Sequence, residues 1–292
     1  CGRTEAMGGM GELHRRSAGA RNAYWVMRHG EAESNLARTI DSGQRKFGLT
    51  AKGRKQTEAA VRKLKEELKR KGEKIDLIIS SDILRTKETS KIALGELGAK
   101  GIKRVIFDKR IHEIKLGVLS GKLENVYHKM FSTYESKFAG GPEGGETLRD
   151  VRKRVWEFFA DYEKKYKNKN ILVISHEYPI WMMFQAVLGW SEKQAIAEKE
   201  KRGGDFVAVA EVNKLDLKIA PRNESGEVDL HRPYIDGITL PCPRCRSMMR
   251  RTPEIFDSWT EAGSMPFAEY HYPFENEKVF ESRFPAQFVA EY

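Results

Sequence analysis

The sequence predicts an α/β fold in which a mostly parallel sheet is covered by helices on both faces, a three-layer α/β/α arrangement. The first observation is a set of short apolar runs, Ala23 to Met27, Ile75 to Ile79, Val105 to Phe107 and Ile171 to Ile174, separated by segments of helical periodicity. Such runs lack polar alternation, as expected of strands buried on both sides, and parallel neighbours joined by helices satisfy that burial. The second is that polar residues gather just past the ends of these runs, where ligand sites of open α/β sheets lie.

The strand at Ala23 to Met27 feeds a loop that starts Arg28-His29-Gly30-Glu31. Thr50 can cap the next helix, whose apolar positions Ala60, Val61, Leu64 and Leu68 fall at helical spacing, and Gly72 can stop it. Ile75 to Ile79 is the second strand, followed by Ser80-Ser81-Asp82 and a helix near Leu84 to Leu97 that carries Arg85. After the strand at Val105 to Phe107 comes Ile111-His112-Glu113-Ile114. Leu148, Val151, Val155, Phe158, Phe159 and Tyr162, spaced by threes and fours, mark a long amphipathic helix. The strand at Ile171 to Ile174 ends at Ser175-His176-Glu177.

A chain of 292 residues, 40% hydrophobic and 32% charged, suits one large globular domain plus a smaller piece. No apolar run approaches the roughly 20 residues of a membrane span, so no membrane partner is expected. The formal net charge of +10 suits a protein that meets polyanions. The basic residues Lys52, Arg54, Lys55, Arg62, Lys63, Lys65, Lys69, Arg70 and Lys71 are nonetheless interrupted by Glu58, Glu66 and Glu67, which fits a solvated helix face as well as a nucleic-acid surface. Three cysteines argue against a disulfide scaffold and for a reducing compartment, hence a cytoplasmic location. The chain opens at Cys1-Gly2 without an initiator Met or signal peptide and stops in a strand-like stretch, which reads as a fragment of something longer.

Two arginines and two histidines thus converge on one sheet edge. Arg28 and Arg85 offer planar forks of donors that match phosphate oxygens. A histidine among them can attack phosphorus if one ring nitrogen is unprotonated and the other is held by a hydrogen bond, and positive neighbours favour that neutral form. The leaving alcohol needs a proton, and Glu113 is the acid best placed by chain order, with Glu31 and Glu177 as competitors. The segment Lys122 to Gly141, with Tyr127, His128, Lys129, Phe131 and Tyr134, reads either as a substrate-choosing lid or as a packed helix. His14, His112, His128, His231 and His271 read as structural or exposed.

These residues, with Asn35, Leu49-Thr50-x-x-Gly53-x-x-Gln56, Arg85-Thr86, Gly117, Gly121 and Gly144-Gly145-Glu146-Thr147, resemble the histidine phosphatase superfamily in its phosphoglycerate-mutase-like branch. The resemblance implies that His29 is the nucleophile, that Arg28, Arg85 and His176 form the phosphate pocket with Asn35 adding a contact, and that Glu113 is the proton donor. It also implies a phosphorylated small molecule or other phosphoester as substrate and no cofactor. Mutases of the superfamily carry a long insertion between the acid and Gly-Gly-Glu; the short segment here favours a phosphatase over a phosphoglycerate mutase.

From Asp229 onward the βα rhythm stops. Cys242-Pro243-Arg244-Cys245 is half of a zinc ribbon, which needs two further ligands because structural zinc is tetrahedral. Cys1 is the remaining cysteine, so Cys242, Cys245 and Cys1 with one cysteine upstream of the chain are the expected Zn2+ ligands; an unmetallated knuckle or redox pair is the alternative. His231-Arg232-Pro233-Tyr234, Pro253-Glu254-x-Phe256-Asp257-Ser258-Trp259, Gly263-Ser264-Met265-Pro266-Phe267 and His271-Tyr272-Pro273-Phe274 resemble isoleucyl-tRNA synthetases of class I. The resemblance implies a division into residues 1–22, a synthetase segment; 23–220, the phosphatase domain; and 221–292, a zinc-ribbon-like and partial synthetase segment. It also implies that Trp259 and Glu291 line the isoleucine or adenylate pocket in the parent, which takes ATP, Mg2+ and tRNA(Ile). The His-Ile-Gly-His and Lys-Met-Ser-Lys-Ser signatures are missing from this sequence, so the fragment is expected not to aminoacylate alone. A phosphatase fold that is catalytically idle and docks tRNA or another partner is the competing function.

Overall fold

The computed structural model describes residues 22–39, 41, 47–98, 102, 104–217, 239–242, 244–252 and 258–285. The chain divides into two compact units, residues 15–237 and a second that includes residues 238–292. Among the described residues no helix is long and apolar enough to cross a membrane.

In the larger unit, β1 (Ala23–Arg28), α1 (Glu33–Ala37), α2 (Ala51–Arg70), β2 (Leu77–Ser80), α3 (Leu84–Leu97) and β3 (Val105–Phe107) follow one another. Next come α4 (Glu124–Met130), α5 (Tyr134–Ala139), α6 (Leu148–Lys165), β4 (Asn170–Ser175), α7 (Glu177–Leu188), α8 (Glu192–Glu200) and β5 (Val212–Leu215). The sheet order is β3-β2-β4-β1-β5. The first four strands are parallel, with Val26 opposite Val173 and Ile79 also opposite Val173; β5 closes the edge antiparallel to β1, Trp25 opposite Lys214.

The strand period of two divides the core. Tyr24, Val26, Ile79, Ile171 and Val173 pack with Phe158, Phe159 and Trp181 of α6 and α7. Trp25, Met27, Ile78, Leu172 and Ile174 point to the other face, against Val61, Leu64 and Leu68 of α2 and Ala93 of α3. The apolar runs are continuous because both faces are covered. The expected cap holds, with the Thr50 hydroxyl accepting the Gly53 N–H at 2.9 Å. The basic face of α2 is exposed, and part of it is paired with α3: Arg54 reaches Glu88 at 2.8 Å and Arg62 reaches Glu96 at 2.7 Å. Lys122 to Gly141 holds two short packed helices, α4 and α5, rather than one.

The second unit contains the hairpin β6 (Thr239–Pro241) and β7 (Met248–Arg250), then α9 (Ser258–Ala268) and α10 (Glu277–Arg283). Packed rings of Phe267, Tyr272, Phe280 and Phe284 join its helices, with Tyr272 and Phe280 stacked at a centroid distance of 4.2 Å.

Candidate active site

The parallel strands end at one edge, and their carboxyl ends deliver the expected residues to it. Arg28 is the last residue of β1, and His29 follows it, its N–H bonded to the Ser175 carbonyl at the end of β4 (3.1 Å). Gly30 and Gly53 let this loop lie directly on the start of α2: a Cβ at Gly30 would collide with the Gly53 carbonyl, and one at Gly53 with the backbone of Glu31. Arg85, in the first turn of α3, reaches back under β1, and His176 caps the start of α7 just past β4.

His29 is 3% exposed. Its Nδ1 lies 2.7 Å from the Gly30 carbonyl, while Nε2 accepts from Arg85 Nε at 3.1 Å. A carbonyl only accepts, so Nδ1 carries the proton and Nε2 keeps its lone pair. Burial, then the charges of Arg85 and Arg28, holds the imidazole well below its ordinary pKa, neutral at pH 7. Arg85 Nε is shared with His176 Nδ1 at 3.3 Å, and His176 Nε2 meets Ser81 Oγ at 2.9 Å. Burial foremost, then the charge of Arg85, depresses the pKa of His176. The two rings stand edge to face with centroids 5.2 Å apart.

The arginines are anchored on their far sides. Arg85 donates from Nη1 to the Asp41 carboxylate at 2.7 Å and from Nη2 to the Asp41 carbonyl at 3.0 Å. Arg28 Nη1 binds Asp205 and the Val207 carbonyl (2.7 Å), which leaves Arg28 Nε buried without a partner.

A cavity of about 350 Å³ opens onto this edge and is lined by Arg28, His29, Asn35, Arg85 and Glu113 among others. His176 lies wholly buried behind Arg85 and does not line it. Asn35 lines it while its Oδ1 accepts the Ala32 N–H at 2.9 Å. Glu113 accepts from the Ile114 N–H (2.9 Å), and burial lifts its carboxyl to about 7 against the pull of Arg85. Of the competing acids, Glu31 is turned toward Thr50 and Lys52, both at 2.9 Å, and does not line the cavity. Glu177 lines it but is ion-paired with Lys199 and accepts the Phe206 N–H.

Sequence reasoning missed Asp41, Asp205, Tyr178 and Lys199, all of which line the cavity. Tyr127, His128 and Tyr134, singled out within an undecided segment, form its wall on α4 and α5. His112 Nε2 lies against the Asp82 carboxylate. In the second unit Cys242 is buried and Cys245 exposed, on the turn between β6 and β7. Among the described residues they form no cluster with a third His, Cys, Asp or Glu that could hold a metal; Cys1 and Glu291 lie outside those residues, and Trp259 is 72% exposed.

Fold and site together define a three-layer α/β domain with a neutral histidine set among arginines at the strand ends. The chain belongs to the histidine phosphatase superfamily (branch 1), whose family model matches residues 24–199. A second model, tRNA synthetases class I (I, L, M and V), matches residues 153–291. Among curated proteins the chain is similar to the isoleucine–tRNA ligase of Clostridium novyi, 54% identical over 76 residues, which are 26% of this chain and 7% of that protein. It is also similar to isoleucine–tRNA ligase 2 of Bacillus anthracis, 41% identical over 104 residues, 35% of this chain and 10% of the relative. The chain therefore spans a tenth or less of these relatives. Among solved structures, Bacillus stearothermophilus YhfR aligns with a TM-score of 0.54 at 22% identity, over 71% of this chain and 98% of that one. A mycobacterial glucosyl-3-phosphoglycerate phosphatase aligns with a TM-score of 0.53 at 21% identity, over 66% and 91%. At that identity both share the fold.

Proposed function

We propose that the larger unit hydrolyses phosphate monoesters through a phosphohistidine on His29. The observation that carries this reading is the state of His29: buried, neutral, Nδ1 hydrogen-bonded to Gly30 and Nε2 directed at Arg85 beside the cavity. A phosphoryl group drawn to Arg85 and the free Nε of Arg28 is presented to that lone pair. Nε2 forms the bond to phosphorus as the ester P–O bond breaks. Glu113, protonated in part near pH 7, gives its proton to the departing alcohol oxygen. The resulting carboxylate can take a proton from water, which attacks phosphorus, breaks the P–N bond and returns His29. His176 steadies Arg85 from behind. No metal or organic cofactor is assigned to this chemistry.

The domain sits, in this reading, within an isoleucine–tRNA ligase, whose ATP, Mg2+ and tRNA(Ile) belong to parts beyond this chain, in the cytoplasm. A Zn2+ ion on Cys242 and Cys245 would need two ligands from elsewhere, Cys1 among them.

The test is turnover of an aryl phosphate by the wild type and by His29→Ala. Phosphate release that disappears in the variant supports the reading. A wild type inert across a broad panel of phosphomonoesters sinks it and leaves the idle docking module.

A further inference from the structure

The alcohol side of the cavity contains an unpaired group that phosphate binding does not explain. Tyr127, on α4, is 3% exposed and lines the same cavity as His29 and Glu113. Its ring is held by Phe131 and Tyr178, with centroids at 5.3 and 6.4 Å, and by the Lys137 ammonium 5.2 Å from its centroid. Its hydroxyl is nevertheless buried with no hydrogen-bond partner. Such groups are rare in folded proteins, because the hydrogen bond to water is lost and nothing replaces it. Another lining residue with an unpaired side-chain donor is Arg28, through Nε, and it belongs with His29 and Arg85 in the proposed phosphoryl pocket. Tyr127 lines the cavity from α4, with His128 beside it and Tyr134 of α5.

Burial, reinforced by the nearby charges of Glu113 and Glu177, pushes the phenol's ionisation further above neutrality. The hydroxyl is therefore a proton-bearing donor at any working pH, fixed in direction by its packed ring. Glu113, the proton donor to the ester oxygen in the reading above, lines the same cavity as Tyr127. Glu177 takes Lys199 and the Phe206 N–H on Oε1, and no hydrogen bond joins it to the Tyr127 hydroxyl, which a ligand in the cavity could satisfy.

We propose that Tyr127 selects the leaving group, its hydroxyl donating a hydrogen bond to an acceptor oxygen carried by the alcohol half of the substrate. The substrate class is then a phosphate monoester of a polyol or hydroxy acid, rather than of a plain alkyl or aryl alcohol. This assignment rests on the phosphatase reading above. A site built to hydrogen-bond a substrate discriminates against analogues that leave its polar group unpaired.

The experiment compares wild type and Tyr127→Phe on glycerol 3-phosphate, phosphoglycolate, ethyl phosphate and phenyl phosphate. The substitution removes one oxygen and keeps the ring's packing, so an unchanged melting temperature is the folding control. The expected result is a loss of about three- to tenfold in kcat/KM, the size of one neutral hydrogen bond, on an acceptor-bearing ester. Ethyl and phenyl phosphate should be hydrolysed unchanged. A loss confined to glycerol 3-phosphate identifies a hydroxyl as the acceptor, and one confined to phosphoglycolate a carboxylate; either supports the assignment. Equal losses on all four esters, or on none, overturn it while the phosphatase reading stands. A wild type that hydrolyses none of them and never labels His29 overturns both.

Discussion

The two ends of the cavity are built differently. The proposed phosphoryl end is formed by Arg28, the last residue of β1, by His29 just past it and by Arg85 in the first turn of a helix, with His176, one position past β4, wholly buried against Arg85. Each makes at least two hydrogen bonds: Arg28 to Asp205 and the Val207 carbonyl, His29 to the Gly30 carbonyl and Arg85, His176 to Arg85 and Ser81, and Arg85 also to Asp41. The proposed alcohol end is lined by Tyr127 and Tyr134, on two helices of seven and six residues, and by Tyr178 and Lys199. There ammonium groups and rings replace the arginine forks: Lys137 lies 5.2 Å from the Tyr127 centroid and 4.8 Å from that of Tyr134. The difference separates two tasks. In the proposed reading, strand ends hold charge in place for chemistry, and packed aromatic helices shape what the chemistry accepts.

The largest effect should come from the phosphoryl end. Arg85→Lys keeps a charge but loses the fork, and kcat in steady-state phosphate release is expected to fall by about 10²- to 10³-fold. A loss under tenfold would mean that the fork is not what holds the phosphoryl group. Asp41→Asn leaves the buried Arg85 uncompensated and is expected to destabilise folding by about 3 kcal/mol in denaturant titrations. Inorganic phosphate should restore more stability to that variant than to wild type, because the anion replaces the lost carboxylate on Arg85. Equal shifts would place the phosphate elsewhere.

Glu113 lies between the two ends and should sense both. Its carboxyl, raised to about 7, must be protonated to act, so kcat/KM for ethyl phosphate is expected to fall as pH rises through 7. Glu113→Gln should remove that limb and slow ethyl phosphate about 10²-fold, while 4-nitrophenyl phosphate, whose leaving group needs no proton, changes little. Loss of the same size on both esters would assign the proton transfer to another group.

The smallest effect belongs to the alcohol end. Lys137 is buried, and its pKa is depressed to about 8, chiefly by burial and then by Lys199. Between pH 8 and its ordinary value of 10.5 the unfolded chain binds more protons at this site than the folded one. Stability should therefore rise with pH through that window, by on the order of 2 kcal/mol. Lys137→Met should flatten the rise and leave aryl phosphate turnover within about twofold. A variant that retains the full pH dependence would show that Lys137 is not its source.

Most of the phosphoryl end was legible in the sequence because it depends on local pattern. A buried strand is a short apolar run, and the polar residues after it must emerge at one edge, so His29, Arg85 and His176 could be placed by counting. Glu113 could be located by order along the chain, while its preference over Glu31 and Glu177 needed their partners, Thr50 with Lys52, and Lys199. The anchors behind the arginines were not legible: Arg28 and Asp205 are 177 residues apart, and nothing periodic surrounds Gly203-Gly204-Asp205. The helices α4 and α5 are too short to show a hydrophobic period, so Tyr127 could be noticed without being oriented. The antiparallel β5 also escaped, since Val212-Asn213-Lys214-Leu215 is half polar and sits at an edge.

The most direct measurement is the fate of the phosphoryl group itself. Protein mixed briefly with a 32P-labelled phosphomonoester, quenched in alkali and digested should yield one labelled peptide, stable to base and labile to acid, with the label on His29. Release of labelled phosphate with no protein-bound intermediate, or with the label on another residue, would contradict the account.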